Sequence, residues 1–497
     1  MTSDLPVLRP RDRSALIWLA LLLPWTALLG PVHEINHDVS WFFYVARGVL
    51  RGGTLYRDFV EPNAPLASLS LVPAVWLTQT LGIVPGLAVE LVVLAVASVS
   101  MALCVAVLCR LRLDRARLLF AVLAVTFAFA FLPGANFGQR EHILAMLLTP
   151  YALAAAANLA GARMTVRLDI ALGAAASIAV ILKPPFILVP AMLEAVALWQ
   201  ARWRWRPGVR LTTLAAALAL MTAGTLAFFP LYARNVVPWA TALYGGYNQP
   251  KQVAAVIVGV LDAAVIAWLG WDTGAGAIPR ALRVGLTVAM VAALGAYGVQ
   301  CKGWLYQAFP ALLFLFLSTA GAIATTALWP GRSAAAWVRW LPPRAILAAF
   351  VYYVVTAAPR SVEMERFADI AREVAAEPGP FLILSTNVVP AFPLALQTDR
   401  VWASRIPCLI MLPGLAQAEQ RGVTSDWDGT FRTWIREDLQ RYKPALIFVP
   451  LGGQQALPPD FDVLAWLLRD PGFAAIWSHY HQDGVRDGMR MFRAFRS

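Results

Sequence analysis

PLASLSLVPAVWLTQTL, residues 65–81, decides the topology of this chain. It is apolar and long enough to pass for a membrane span. Counted as one, it would place the basic loop Arg110–Arg117 outside and invert most later loops, against the inward bias of positive charge. Read as an interfacial or re-entrant helix on the outer face, it keeps the alternation intact and covers the acidic loop before it. The second reading is taken here; its rival is a true span with a local exception to the charge rule.

Working outward, the composition demands a membrane. Of 497 residues 59% are hydrophobic and only 14% charged, and the mean hydropathy is +0.62. Soluble domains carry about 25% charged residues, and the apolar residues here fall in blocks long enough to cross a bilayer. The net charge of +12 therefore says nothing of nucleic acid, because its arginines sit in short loops between apolar blocks. Arg9, Arg11 and Arg13 predict a cytoplasmic N-terminus before a first span at Ala15–Leu29. No small-residue cleavage site follows, so that span is expected to be retained. Arg110–Arg117, Arg163–Arg167, Arg202–Arg210, Arg280–Arg283 and Arg332–Arg344 are then cytoplasmic. Pro133–His142, Lys183–Pro185, Tyr232–Lys251 and Gln300–Tyr306 are external. The expected fold is a polytopic α-helical membrane protein of about eleven spans, with interfacial helices in its first external loop.

After Ala358 the chain grows polar. A helical pattern at Val362–Ala376 precedes a strand at Phe381–Ser385. A helix at Thr430–Arg441, a strand at Ala445–Val449 and closing strands at Ala474–Tyr480 and Met489–Phe495 follow. This predicts a transmembrane module over residues 1–358, with its first external loop at 31–86, and a small external α/β domain over 359–497. There is no CxxC, HExxH or GxxxxGK[ST] motif, so zinc-finger, zincin and ATPase readings have no support. Cys104 and Cys109 read as packing residues. Cys301 and Cys408 both fall outside, and a disulfide between them is left open.

The chemistry concentrates in the external loops. The first runs HEINHDVSWFFYVARGVLRGGTLYRDFVEPNAP from His33 to Pro65, with one acidic pair at Glu34 and Asp38 and another at Asp58 and Glu61. Carboxylates beside a span are costly unless they face water, hold a cation or act on a substrate. The later loops set cations beside aromatics: Arg140 with Glu141 and His142, Lys183 before two prolines, Arg234 near Trp239, Tyr244 and Tyr247, and Lys302 beside Trp304 and Tyr306. Repeated violation of the charge bias on the outer side points to an anionic ligand such as a lipid phosphate.

These residues resemble the C-type integral-membrane glycosyltransferases, in particular the bacterial relatives of protein O-mannosyltransferases and lipid A aminoarabinose transferases. The resemblance runs through Asp38, Tyr44, Ala46, Gly53, Tyr56, Arg57, Asp58, Glu61, Pro62 and Pro65, covers about the first 200 residues, and returns faintly at Gln300–Pro310. It implies transfer of a sugar from a polyprenyl-phosphate carrier to a glycan, lipid or protein acceptor at the external face of a bacterial inner membrane, with inversion. Asp38 would be the general base on the acceptor hydroxyl, and Glu141 would be a second acid. Arg140, Lys183, Lys302 and Arg234 would meet the phosphate. Tyr56, His37, Asp58, Glu61, Trp304 and Tyr306 would bind substrate. No nucleotide or ATP is expected. Asp38 stands between His37 and Val39, where many relatives carry paired acids. Any Mg²⁺ or Mn²⁺ site on Glu34 and Asp38 is therefore left open.

Each residue has a plainer reading. Asp38 suits an N-cap for the helix starting at Ser40, Arg140 could pair with Glu141, Asp58 or Glu61 could pair with Arg57 or Arg51, and Lys183 and Lys302 could snorkel. At the level of function the rival is a transporter or flippase of a lipid-linked saccharide; an envelope polysaccharide polymerase or ligase would also share the donor. Transporters tend to carry mid-membrane charges and repeated halves, neither of which is evident here. Sugar, acceptor and oligomeric state are not legible.

Overall fold

The computed structural model describes residues 10–29, 35–111, 113–202, 207–271, 276–326, 334–356 and 362–495. The chain forms two compact units. One comprises Met1–His33, Val89–Ala223 and Gln249–Pro359, the other Glu34–Ala88, Gly224–Asn248 and Arg360–Ser497.

The first unit is a helical bundle. Pro85–Leu108, Arg140–Leu159, Pro250–Gly270, Ala277–Gln300 and Leu305–Thr325 are long and apolar enough to cross a bilayer, as is Val209–Phe228, which runs on into the other unit. Six helices meet that criterion among the described residues. The remaining apolar segments are shorter, such as Ser14–Leu28, Pro184–Gln200 and Trp340–Thr356. By the length and composition of these helices the chain is a multi-pass membrane protein. Small residues set the closest approaches, as is usual where helices pack without water. A Cβ added at Gly285 would lie 2.5 Å from that of Ala156, and one at Gly173 would lie 2.4 Å from the Arg210 carbonyl oxygen.

Residues 65–81 do not form one rod. They break into Leu66–Leu69 and Val72–Leu81, with Pro73 in the first turn of the second and left-handed Gly82 (φ 67°) ending it. Ten residues rise about 15 Å, roughly half the hydrocarbon core. Even taken together, Leu66–Leu81 would rise only about 24 Å, short of the ~30 Å hydrocarbon core.

The second unit gathers three separated stretches. Its organising element is the helix His37–Leu50, buried from Val39 to Phe43 and again at Val45 and Ala46. Trp41 and Tyr44 pack edge-on against Phe392, at 5.2 and 5.4 Å between ring centroids, and Phe392 lies 5.7 Å from Trp402. The Val60 N–H donates to the Arg405 carbonyl at 2.7 Å, and the Tyr247 hydroxyl donates to the Thr386 carbonyl at 2.9 Å. Residues 34–88 and 224–248 thus cluster with residues 360–497, so this unit is not continuous in the chain.

The C-terminal residues carry a four-stranded sheet: β1 (Phe381–Ile383), β2 (Leu446–Pro450), β3 (Tyr480–Arg486) and β4 (Met489–Ala494). Their order is β1-β2-β4-β3, with β1 parallel to β2 and the other pairs antiparallel. The central strand β2 is buried from Leu446 to Val449. The helix expected at 430–441 extends over Trp427–Tyr442, and that at 362–376 is interrupted between Val362–Glu365 and Ala368–Ala376. One expected strand is corrected. Most of 474–480 lies in or just after the helix Pro471–Trp477, because the Asp470 side chain caps the Phe473 N–H with Pro471 at the first helical position. The strand begins at Tyr480.

Candidate functional site

The first loop sorts its carboxylates by how fully they are used. Glu61 is 2% exposed. It accepts the Trp41 indole N–H at 2.5 Å and the Asn63 backbone N–H at 3.0 Å, and it also accepts the Asn63 side-chain amide. Asp58 accepts from the Thr54 N–H at 2.9 Å, from Arg57 at 3.0 Å and from Arg441 at 3.1 Å. Partial burial would raise its carboxyl, but these three hydrogen bonds outweigh it and hold the group below the ordinary value. Both acids tie the loop into its unit.

Asp38 differs. The helix starts at His37 and its N-cap is Asn36, whose side chain accepts the Asp38 N–H at 3.0 Å. The capping role falls to Asn36, and Asp38 lies inside the first turn, where a carboxylate is favoured by the helix dipole. Its side chain is one-fifth exposed, and its carboxylate lies 3.8 Å from His37 Nε2. Among the described residues its carboxylate accepts no hydrogen bond. Asp38 and Glu61 lie close enough to Cys408 for both charges to add to burial in raising that thiol. Tyr56 adopts a left-handed backbone (φ 69°), and its hydroxyl donates to the Asn63 carbonyl at 2.8 Å. Its ring meets that of Tyr232 at 5.1 Å, and burial together with the Glu61 charge pushes its phenol far up. Arg234 is exposed in the π-helical turn Tyr232–Val236.

In the other unit the expected cations sit at helix ends. Arg140 and Glu141 open the helix Arg140–Leu159, and Lys183 closes the helix Val166–Leu182. Lys183 and Glu141 form a buried ion pair, with exposures of 7% and 1%. The partner of Glu141 is thus Lys183, across two helices, and not its neighbour Arg140. The Lys183 ammonium also lies 5.7 Å from the Tyr306 ring centroid, and Tyr306 stacks on Trp304 at 5.9 Å. His142 Nδ1 accepts the Gly138 N–H at 3.1 Å, so its Nε2 carries the proton donated to the Phe129 carbonyl at 2.8 Å. Lys302 is 7% exposed, and burial pushes its ammonium down to about 8. Its loop is pinned by the Gln249 N–H, which donates to the Cys301 carbonyl at 2.7 Å.

No protein-family model and no curated protein matches this sequence. Among solved structures the chain is similar to ArnT from Cupriavidus metallidurans in the apo state, with a TM-score of 0.48 and 14% identity over 96% of this chain and 97% of that one. It is similar also to the arabinofuranosyltransferase AftD from Mycobacteria, with a TM-score of 0.46 and 14% identity. That match covers 99% of this chain and 40% of AftD.

Among the described residues no three His, Cys, Asp or Glu side chains group closely enough to hold an ion, and Glu34 lies outside the described residues. Cys301 and Cys408 are both free thiols. The sequence reading missed the Asn36 cap, the Trp41–Glu61 bond and the Tyr151–Glu194–Arg210 network. A polar residue before an apolar helix could have flagged the first; the other two pair residues far apart in the chain.

Proposed function

We propose that this protein is a glycosyltransferase that moves a sugar from a polyprenyl-phosphate carrier to an acceptor at the external face of the membrane. One observation carries the reading. Glu61 and Asp58 each accept three hydrogen bonds, whereas the Asp38 carboxylate, at the start of a buried helix, accepts none among the described residues and is left to accept a proton. In the reaction, Asp38 takes the proton of the acceptor hydroxyl as its oxygen attacks the anomeric carbon. The bond from that carbon to the carrier phosphate breaks on the opposite side, and the phosphate leaves with the electron pair. A single displacement inverts the anomeric centre. Charge grows on the leaving phosphate, so cations raise the rate if they hold it more tightly in the transition state. Lys302 is the first candidate, with Arg140, Lys183 and Arg234 as further candidates. The carrier supplies the activated bond, so no nucleotide is called for.

The test is donor consumption by the purified protein, using a panel of radiolabelled polyprenyl-phosphate sugars with acceptor extracts. Release of labelled carrier with transfer of sugar supports the reading. Retention of every donor intact, with lipid-linked saccharide moved across proteoliposomes, would replace it with transport.

Lys302 supplies a separate check. Its folded-state value near 8 lies below the ordinary lysine value of 10.5, so folding sheds a proton between those pH values and the charged form costs stability below 8. Lys302→Met is expected to raise Tm at pH 7, to leave it unchanged above about pH 10.5, and to weaken retention of the carrier phosphate. A lower Tm at pH 7 would show the ammonium to be structural.

A further inference from the structure

At the opposite end of the bundle from Lys183 lies a cavity of about 250 Å³, lined by Asn158, Asp169, Glu194 and Arg210 with apolar neighbours. Four helix ends meet there: the end of Arg140–Leu159, the start of Val166–Leu182, the end of Leu188–Gln200 and the start of Val209–Phe228. The Val166–Leu182 helix separates Asp169 from Lys183 by about 21 Å along its axis. That places the cavity at headgroup level on the side marked by the arginine-rich loops.

Arg210 is 6% exposed and only partly satisfied. Its Nη2 donates to Glu194 Oε1 at 3.1 Å, the same oxygen that accepts the Tyr151 hydroxyl at 2.7 Å. The guanidinium centre lies 4.6 Å from the Tyr151 ring centroid. Its Nε and Nη1 have no acceptor among the described residues. A buried guanidinium with two unmet nitrogens is expensive, and a ligand oxygen entering the cavity would relieve it. The carboxylates argue for a second charge. Asp169 interacts with both Arg210 and Glu194, so two acids face one guanidinium. A bare phosphate would be repelled by the spare acid, and a bare amine would leave Arg210 unmet.

We infer that this cavity binds an aminophosphate zwitterion, its phosphate on Arg210 and its ammonium on Asp169 and Glu194. This chemistry occurs as the headgroup of an ethanolamine phospholipid or as free phosphoethanolamine. The site lies apart from the residues assigned to sugar transfer, and its test reads binding rather than turnover.

The experiment is native mass spectrometry with Tm measurement on the detergent-purified full chain. The probes are short-chain phosphatidylethanolamine, phosphatidylcholine, phosphatidylglycerol, inorganic phosphate and free phosphoethanolamine. Phosphatidylethanolamine should bind at least tenfold more tightly than the choline and glycerol lipids, since a quaternary amine cannot donate and a glycerol carries no charge. Binding of free phosphoethanolamine as tight as the lipid would assign the site to a soluble ligand, and lipid-only binding would assign it to a membrane headgroup. Arg210→Gln should abolish binding. Should that variant fail to fold, Asp169→Asn, at the half-buried rim, should remove the preference for ethanolamine. Equal binding of phosphatidylglycerol or inorganic phosphate, unchanged affinity in Asp169→Asn, or no binding of either ethanolamine compound would overturn the inference.

Discussion

Asp38→Asn is expected to lower sugar transfer by about 10²–10⁴-fold, the usual worth of a positioned general base, while leaving carrier binding and Tm near those of the wild type. The amide keeps the shape of the carboxylate but cannot take the acceptor's proton. Stability should hold because the Asn36 cap uses the Asp38 backbone N–H and not its side chain. The helix loses one favourable charge in its first turn, worth about 0.3–1 kcal/mol. The contrast with Glu61→Gln sharpens the test. Glu61 accepts from Trp41 and twice from Asn63 while buried, so its substitution should lower Tm as well as activity. A kcat loss without a Tm loss at Asp38, and both losses together at Glu61, is the pattern of one catalytic and one structural acid. Transfer near the wild-type rate in Asp38→Asn would remove it as the base.

How much of this was legible in the sequence depends on the range of the interaction concerned. Apolar blocks marked the bundle helices because the bilayer selects for composition, and strands β1, β2 and β4 fell within a few residues of their expected places. Residues 65–81 were read as one interfacial or re-entrant helix from the charges of later loops, and the interruption between Leu69 and Val72 was not foreseen. Pairings across helices were not legible. Arg140 is adjacent to Glu141 in the chain, yet neighbouring side chains on a helix point about 100° apart. The helix packed alongside instead brings Lys183 to Glu141, from 42 residues away. Nor could residues 41–44 announce a contact with Phe392 and Trp402, since an aromatic stripe on an amphipathic helix does not name what it packs on. Chemical type pointed to the acids of the first loop; only hydrogen bonds divided Asp58 and Glu61, tied into the fold, from Asp38.

The Glu141–Lys183 pair gives the second large effect, and it separates architecture from chemistry. Lys183→Met should cost about 3–5 kcal/mol, because it strands a carboxylate that is 1% exposed without its cation. Glu141→Leu should likewise destabilise by removing the carboxylate that the buried ammonium faces. The double variant Glu141→Leu/Lys183→Met should recover most of the loss, since replacing a buried pair with apolar side chains of similar volume is often close to neutral. The coupling between the two sites in a double-mutant cycle should then be large and favourable. Thermal unfolding in the same detergent for all four proteins measures it. Activity decides what the pair is for. If Lys183 contributes to holding the leaving phosphate, the double variant should be stable yet transfer sugar roughly 10²-fold more slowly, comparable to the loss of one donor to a developing anion. If it turns over like the wild type once its stability returns, the pair only fastens the helix Arg140–Leu159 to the helix Val166–Leu182, and the phosphate falls to Lys302 and Arg140.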